Sequence, residues 1–153
     1  MVDDGIPEDI CADLPIAPLP VVTAETAPFW ESGRAGRLMI ARCQACGLYL
    51  HPPQPICRDC LSDRVKAEPV SGRAVVASYT INHQPWTPDM KVPFALAVVD
   101  LAEQPGLRLT TCIVGTPLDR VAIGLPVVVC FCRRDDVWLP VFREDRLAGP
   151  ATP

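Results

Sequence analysis

The stretch CQACGLYLHPPQPICRDC, residues 43–60, decides how the rest of the chain is read. Its cysteines fall as C-x2-C-x10-C-x2-C, at Cys43, Cys46, Cys57 and Cys60. A two-residue gap lets a tight turn aim both sulfurs of a pair at one point, and the intervening loop brings the second pair opposite the first. Four thiolates in that arrangement form a closed tetrahedral shell, the chemistry of a structural zinc site with no open position for substrate or water. A rubredoxin-type iron site uses the same four sulfurs, so the ligand set leaves iron open; zinc is the expected metal. Gly47 follows Cys46 and suits the backbone such a turn needs. Leu61 follows Cys60, so the second knuckle lacks that help.

The flanks of this segment read as extended chain. Leu38, Ile40 and Arg42 alternate with Met39 and Ala41 before the first knuckle, and Val65 to Val70 follows the second. Residues 38–70 are therefore read as the metal ribbon. Beyond it, RAVVASYTIN, PFALAVVDLA, LRLTTCIVG, PVVVCFCRR and VWLPVFRED are rich in β-branched and aromatic residues and separated by Pro, Gly and Asp turns. Strands at this spacing, with no helical pattern of useful length between them, predict a small barrel rather than a βαβ sheet. On the N-terminal side, TAETAPFWESGRAGR, residues 23–37, predicts a short helical arm with Phe29 and Trp30 as its apolar anchors. So short a helix is marginal alone, and those rings must pack on this chain or on another. Residues 1–22 read as an acidic, proline-rich tail, in which Leu14, Ile16, Leu19, Val21 and Val22 are apolar for a free segment. Residues 146–153 read as a C-terminal tail.

Composition bounds the class. The chain has 153 residues, 18 prolines, 8 cysteines and a net charge of −4. So many prolines argue against a helical bundle, because each removes a donor and breaks helix interiors. The longest near-continuous apolar run, Val121 to Cys132, is interrupted by Gly124 and Pro126 and is too short to span a bilayer. The start, MVDDGIPEDI, lacks the basic and apolar regions of an export signal, so a cytoplasmic location is expected. In that compartment the cysteines are expected to serve as metal ligands or buried thiols rather than as a disulfide framework. Cys112, Cys130 and Cys132 lie in apolar strand runs and are expected to behave as small buried hydrophobes. Cys11 lies in the tail.

Charge is uneven. Asp3, Asp4, Glu8, Asp9 and Asp13 make the first 13 residues acidic, with no Lys or Arg among them. Residues 34–73 carry Arg34, Arg37, Arg42, Arg58, Arg64, Lys66 and Arg73 against Asp59, Asp63 and Glu68, a modest basic patch. His51, in the ribbon loop, and His83, after the first barrel strand, are read as ordinary hydrogen-bonded histidines. No serine-hydrolase elbow, phosphate-binding loop, dinucleotide fingerprint or zinc-protease motif occurs, and no catalytic set is expected in this chain.

Several further motifs share one order along the chain. They are Phe29-Trp30-Glu31, Arg42-Cys43-x-x-Cys46-Gly47, His51-Pro52-Pro53, Cys57-x-x-Cys60, Val70-Ser71-Gly72-Arg73, Ser78-Tyr79-Thr80, Pro93 to Ala97, Ile123 to Val127 and Leu139 to Phe142. In that order, from about residue 25 to 144, the chain resembles the DUF35 family. The resemblance implies a mainly β protein: a helical arm, a rubredoxin-like zinc ribbon and a five-stranded OB-fold barrel over residues 71–145. It also implies a non-catalytic accessory subunit whose partner is a thiolase-superfamily protein, a thiolase, aldolase or acyltransferase acting on acyl-CoA thioesters. A degradative β-oxidation-like pathway for aromatic or steroid compounds fits that role. On this reading Arg37, Arg42, Arg58 and Arg73 are candidates for the CoA phosphates, and Phe29 and Trp30 for the partner interface. No family role carries onto residues 1–22. The competing class is a single-stranded nucleic-acid-binding module, since OB barrels and ribbons both serve that purpose. Against it, aromatics are 6% of the chain, and residues 74–143 balance six basic side chains with six acidic ones.

Overall fold

The computed structural model describes Cys11, Leu14, Pro15 and residues 18–148. Most of the expected tail 1–22 and the last five residues lie outside this set. The arm begins with a short helix, α1 (Ala27–Glu31), which passes into a 3-10 turn at Ser32–Ala35. It is shorter than the composition of residues 23–37 predicts. Pro28 stands in its first turn, and Gly36 ends the 3-10 turn in the left-handed conformation at φ 63°. Thr26, at the N-cap, makes no side-chain cap bond to the helix; it pairs with Thr23 instead, whose N–H donates to Thr26 Oγ1 at 2.9 Å.

The ribbon sheet follows, with strands β1 (Leu38–Cys43), β2 (Tyr49–Leu50) and β3 (Val65–Val70) in the order β2-β1-β3, all antiparallel. β1 serves two cores. Leu38 and Ile40 face the main apolar cluster, while Ala41 and Cys43, on the other face, join Leu50 and Cys57 in the ribbon's own small cluster.

The five remaining strands are β4 (Arg73–Asn82), β5 (Phe94–Leu101), β6 (Arg108–Ile113), β7 (Pro126–Arg134) and β8 (Val137–Glu144). They close into a barrel in the order β4-β5-β6-β8-β7, with β6 and β8 parallel and the other pairs antiparallel. This five-stranded order is that of an OB fold. Alternation drives it: in β5 every second residue (Ala95, Ala97, Val99, Leu101) is buried. A register shift between Val76 and Ser78 bends β4, as closure of so small a barrel requires. Val76, Val99, Val127 and Phe142 lie at the centre of the core, each at most 1% exposed.

Arm, ribbon and barrel are joined by specific contacts. Phe29 is buried in the main cluster, and Trp30, half-buried, packs on both the main cluster and a second one on β7 and β8. Gly33 lets the arm approach the barrel closely: a Cβ there would sit 2.5 Å from both Phe131 Cδ1 and Trp138 Cβ. From the barrel, the Gln104 side-chain amide accepts from the Tyr49 N–H at 2.9 Å and donates to the Tyr49 carbonyl at 3.2 Å. The β2 edge of the ribbon is thus tied to the β5–β6 turn.

Candidate metal centre and its surroundings

The two knuckles fold alike. The Cys43 N–H donates to the Leu48 carbonyl and the Cys57 N–H to the Ser62 carbonyl, each at 2.9 Å. The Gly47 N–H returns to the Cys43 carbonyl at 2.9 Å, and the Leu61 N–H to the Cys57 carbonyl at 3.0 Å. Gly47 takes φ 80°, and Leu61, in the equivalent place, takes φ 59°. The second knuckle therefore reaches the left-handed turn without glycine, and a leucine there carries backbone strain.

The outcome is a four-sulfur cluster. All four Sγ atoms lie within 4.8 Å of one another, with Cys43–Cys60 at 3.5 Å and Cys46–Cys57 at 3.6 Å. A tetrahedron with metal–sulfur bonds of about 2.3 Å has edges of about 3.8 Å, so this donor set fits zinc. Local dipoles prepare the site. Backbone N–H groups of Cys46 and Ala45 point at Cys43 Sγ and bring that thiol down to about 6. At Cys46 the Leu48 N–H favours the thiolate, but desolvation and the neighbouring sulfurs outweigh it and push the thiol up to about 12. Crowding four ionisable sulfurs is unfavourable until a divalent cation neutralises them.

Arg42 braces this structure. Its Nε donates to the Gly47 carbonyl at 3.0 Å, its Nη1 to Glu68 at 3.0 Å, and its guanidinium lies 4.8 Å from the centre of the Tyr49 ring. The hydrogen bond to Glu68 raises Arg42 above its ordinary value, while bonds from Gln44 and Arg42 hold Glu68 below its own. Among the four arginines expected to meet phosphate, Arg42 is thus already committed within the ribbon. Arg37 and Arg58 are exposed, and Arg73 is exposed with Asp145 4.0 Å away.

The remaining candidates separate clearly. His51 is half-buried with its ring 5.0 Å from that of Phe29, and desolvation lowers it below the ordinary histidine value. His83 is exposed. Burial pushes Cys112 up to about 11 and Cys130 up to about 12, so both are thiols at neutral pH rather than nucleophiles. Cys132 corrects an expectation. It is not a free thiol but forms a disulfide with Cys11, 121 residues away in sequence and 5.3 Å between Cα atoms. The sequence offers a count of four cysteines outside the ribbon but no spacing that selects a pair, because only the fold brings Cys11 to β7.

Residues 30–66 match the family model of the ChsH2 rubredoxin-like zinc ribbon domain, and residues 67–132 that of the ChsH2 C-terminal OB-fold domain. A structural zinc in the ribbon agrees with the sulfur geometry. Among solved structures, the chain is similar to a chain of the Ltp2–ChsH2(DUF35) aldolase, with 35% identity and a TM-score of 0.73. That match covers 82% of this chain and 98% of the other. A DUF35 protein of unknown function from Sulfolobus solfataricus shares the fold at 16% identity and a TM-score of 0.60, over 81% of this chain and 87% of that one. Two curated relatives are hydratase alpha subunits. The probable enoyl-CoA hydratase alpha subunit of Thermomonospora curvata is 37% identical over 84% of this chain and 40% of its own length. The 3-oxo-4,17-pregnadiene-20-carboxyl-CoA hydratase alpha subunit of Mycobacterium tuberculosis is 36% identical over 80% and 38%. The chain therefore spans about two fifths of the length of these relatives. With its ribbon, its barrel and a near full-length match to a solved member, this chain belongs to the DUF35 family.

Proposed function

We propose that the chain is a non-catalytic zinc-ribbon and OB-fold subunit of a heteromeric thiolase-superfamily enzyme that acts on acyl-CoA thioesters. The observation that carries this reading is the near full-length likeness to the ChsH2(DUF35) chain of an aldolase complex. The names of both curated relatives add acyl-CoA chemistry, one of them with a steroid side-chain substrate. A degradative pathway for steroid or aromatic compounds in the cytoplasm is the matching setting. The side chains support an accessory role: the free thiols outside the ribbon are held protonated by burial, and His51 lies against Phe29. Hydration belongs to the relatives' full length and is not assigned to this portion.

Within such a complex, Arg37, Arg58 and Arg73 present exposed guanidinium groups for the CoA phosphates. Arg42 serves the same region by holding the first knuckle in shape. Phe29 is buried in this chain, so Trp30, which keeps some exposed surface, is the arm residue for the partner interface. No helix among the described residues is long and apolar enough to cross a membrane.

The test is purification of the tagged, zinc-loaded chain from its native cells, followed by identification of stoichiometric partners. A thiolase-superfamily protein at near-equal amount, with acyl-CoA cleavage or acyl transfer that requires both chains, is the expected result. Nuclease-sensitive nucleic acid in its place would overturn the proposal in favour of a strand-binding module.

A further inference from the structure

A closed barrel leaves no sheet edge, yet β4 is longer than its closure requires. It has ten residues and pairs with β7 only over Arg73–Val75. On the same side, the Val76 N–H donates to the Leu125 carbonyl at 3.0 Å, and the Val76 carbonyl accepts from the Gly124 N–H at 2.8 Å. After the register shift between Val76 and Ser78, β4 runs on as Ser78-Tyr79-Thr80-Ile81-Asn82, paired on one side with β5. No described residue pairs with its other side, and Ser78, Tyr79 and Thr80 are exposed one after another.

The outer edge of β3 makes a contrast. It carries Lys66, Glu68 and Pro69, the charges and proline that keep a strand edge from pairing with another chain. Ser78 to Asn82 has no charge and no proline, and its Tyr, Thr and Ile favour strand pairing. Large apolar side chains also stand exposed along β4 and its connections. Val75 and Tyr79 are exposed on the strand itself, Ile123 is 72% exposed in the turn that bonds Val76, and Trp86 is 68% exposed in the loop that leaves β4.

We propose that this edge docks a second copy of the chain, β4 against β4, antiparallel about a two-fold axis at Thr80. The strand is its own complement in that register: Thr80 meets Thr80, Ser78 meets Asn82, and Tyr79 meets Ile81. Tyr79 and Ile81 pair with the buried Ala97 and Ala95 and so lie on the barrel-facing side, whereas Ser78, Thr80 and Asn82 share the outer side. Apolar residues therefore meet apolar ones, an aromatic–β-branched pair on each side of the axis, and hydroxyl and amide groups meet one another. No like charges come together, because the segment has none. A two-fold contact uses the same patch on both copies, so each edge covers the other and none is left for a third chain. Pairing over Ser78 to Asn82 alone buries little surface; the exposed Val75, Ile123 and Trp86 that flank it add apolar contact. A contact of this size gives a reversible dimer rather than an obligate one.

The experiment is sedimentation velocity of the full, zinc-loaded chain at low ionic strength, from micromolar to millimolar concentration, as the parent and as Thr80→Lys and Thr80→Glu. At the axis each substitution sets like charge against like charge. The parent is expected to dimerise, each variant alone to associate about tenfold more weakly, and an equal mixture of the two variants to recover the dimer. Thr80 is exposed, so neither change enters the barrel core, and unchanged zinc content and circular dichroism check this. Recovery in the mixture separates loss of the contact from loss of the fold. A parent chain that stays monomeric overturns the proposal and leaves the edge to a strand of another protein. Dimers that both variants keep overturn it as well, because the contact then lies elsewhere. So does a mixture that associates no better than either variant alone, since the axis then does not pass through Thr80.

Discussion

The ribbon and the barrel sit side by side and are stabilised by different physics. The barrel surrounds a core of Val76, Val99, Val127 and Phe142 and closes its own hydrogen-bond ladder, so burial and pairing suffice. The ribbon has only Ala41, Cys43, Leu50 and Cys57 as its separate cluster, and two of those four are metal ligands. A core that small cannot offset the entropy of ordering two loops, and the metal does so instead. The contrast teaches that one chain can place a metal-dependent module against a self-sufficient one, with β1 contributing to both.

Metal removal is the strongest way to break this contrast. Structural zinc contributes apparent binding energies of about 10–16 kcal/mol in small metal-dependent modules. Chelation, or Cys57→Ser, is therefore expected to collapse the amide resonances of residues 38–70 while those of the barrel strands persist. Loss of both sets together would show that ribbon and barrel form one cooperative unit. The complementary break is Phe142→Ala, which empties the barrel core at a cost of about 3–5 kcal/mol. Denaturant unfolding should register that loss with one zinc per chain still bound, measured by elemental analysis before unfolding begins.

The junction between arm and barrel is next in size. Gly33→Ala places a methyl group against Phe131 and Trp138, and such overpacking costs about 1–3 kcal/mol. A thermal shift with unchanged zinc content would locate the loss at the arm rather than in the ribbon. Leu61→Gly sharpens the comparison of the two knuckles. Relief of the left-handed strain at φ 59° should stabilise the zinc-bound chain by about 1 kcal/mol. The same change at an unstrained, exposed loop position would destabilise it.

The smallest expected effect is a pH response at His51. Its folded-state value is lowered by desolvation, so below the ordinary histidine value of about 6.5 the unfolded chain binds a proton that the folded chain resists. Stability should therefore fall as pH drops through that value. His51→Phe should flatten this part of the profile, and the difference between variant and parent separates it from acid loss of zinc.

Much of this was legible in the residues. Cysteine spacing marks a metal ribbon because two-residue gaps are a local geometric demand, and β-branched runs mark strands because alternation is local as well. The family resemblance, carried by motifs from Phe29 to Phe142, extended that reading to an OB barrel and an acyl-CoA setting. Other features have no local cause. The parallel pairing of β6 with β8 depends on how the sheet closes. Leu61 adopts a glycine-like turn because the knuckle that aims Cys57 and Cys60 at one point folds back there, its N–H donating to the Cys57 carbonyl. Arg42 belongs to the ribbon's bracing because β3 sets Glu68 within reach. Cys132, which by its apolar run read as a buried thiol, is half of a disulfide because the fold brings Cys11 against β7. The sequence by itself determined the elements and the metal chemistry, which rest on neighbours within a turn or a strand. Only the tertiary structure decided the barrel closure, the role of Arg42 and the partner of Cys132, since each depends on groups brought together from distant parts of the chain.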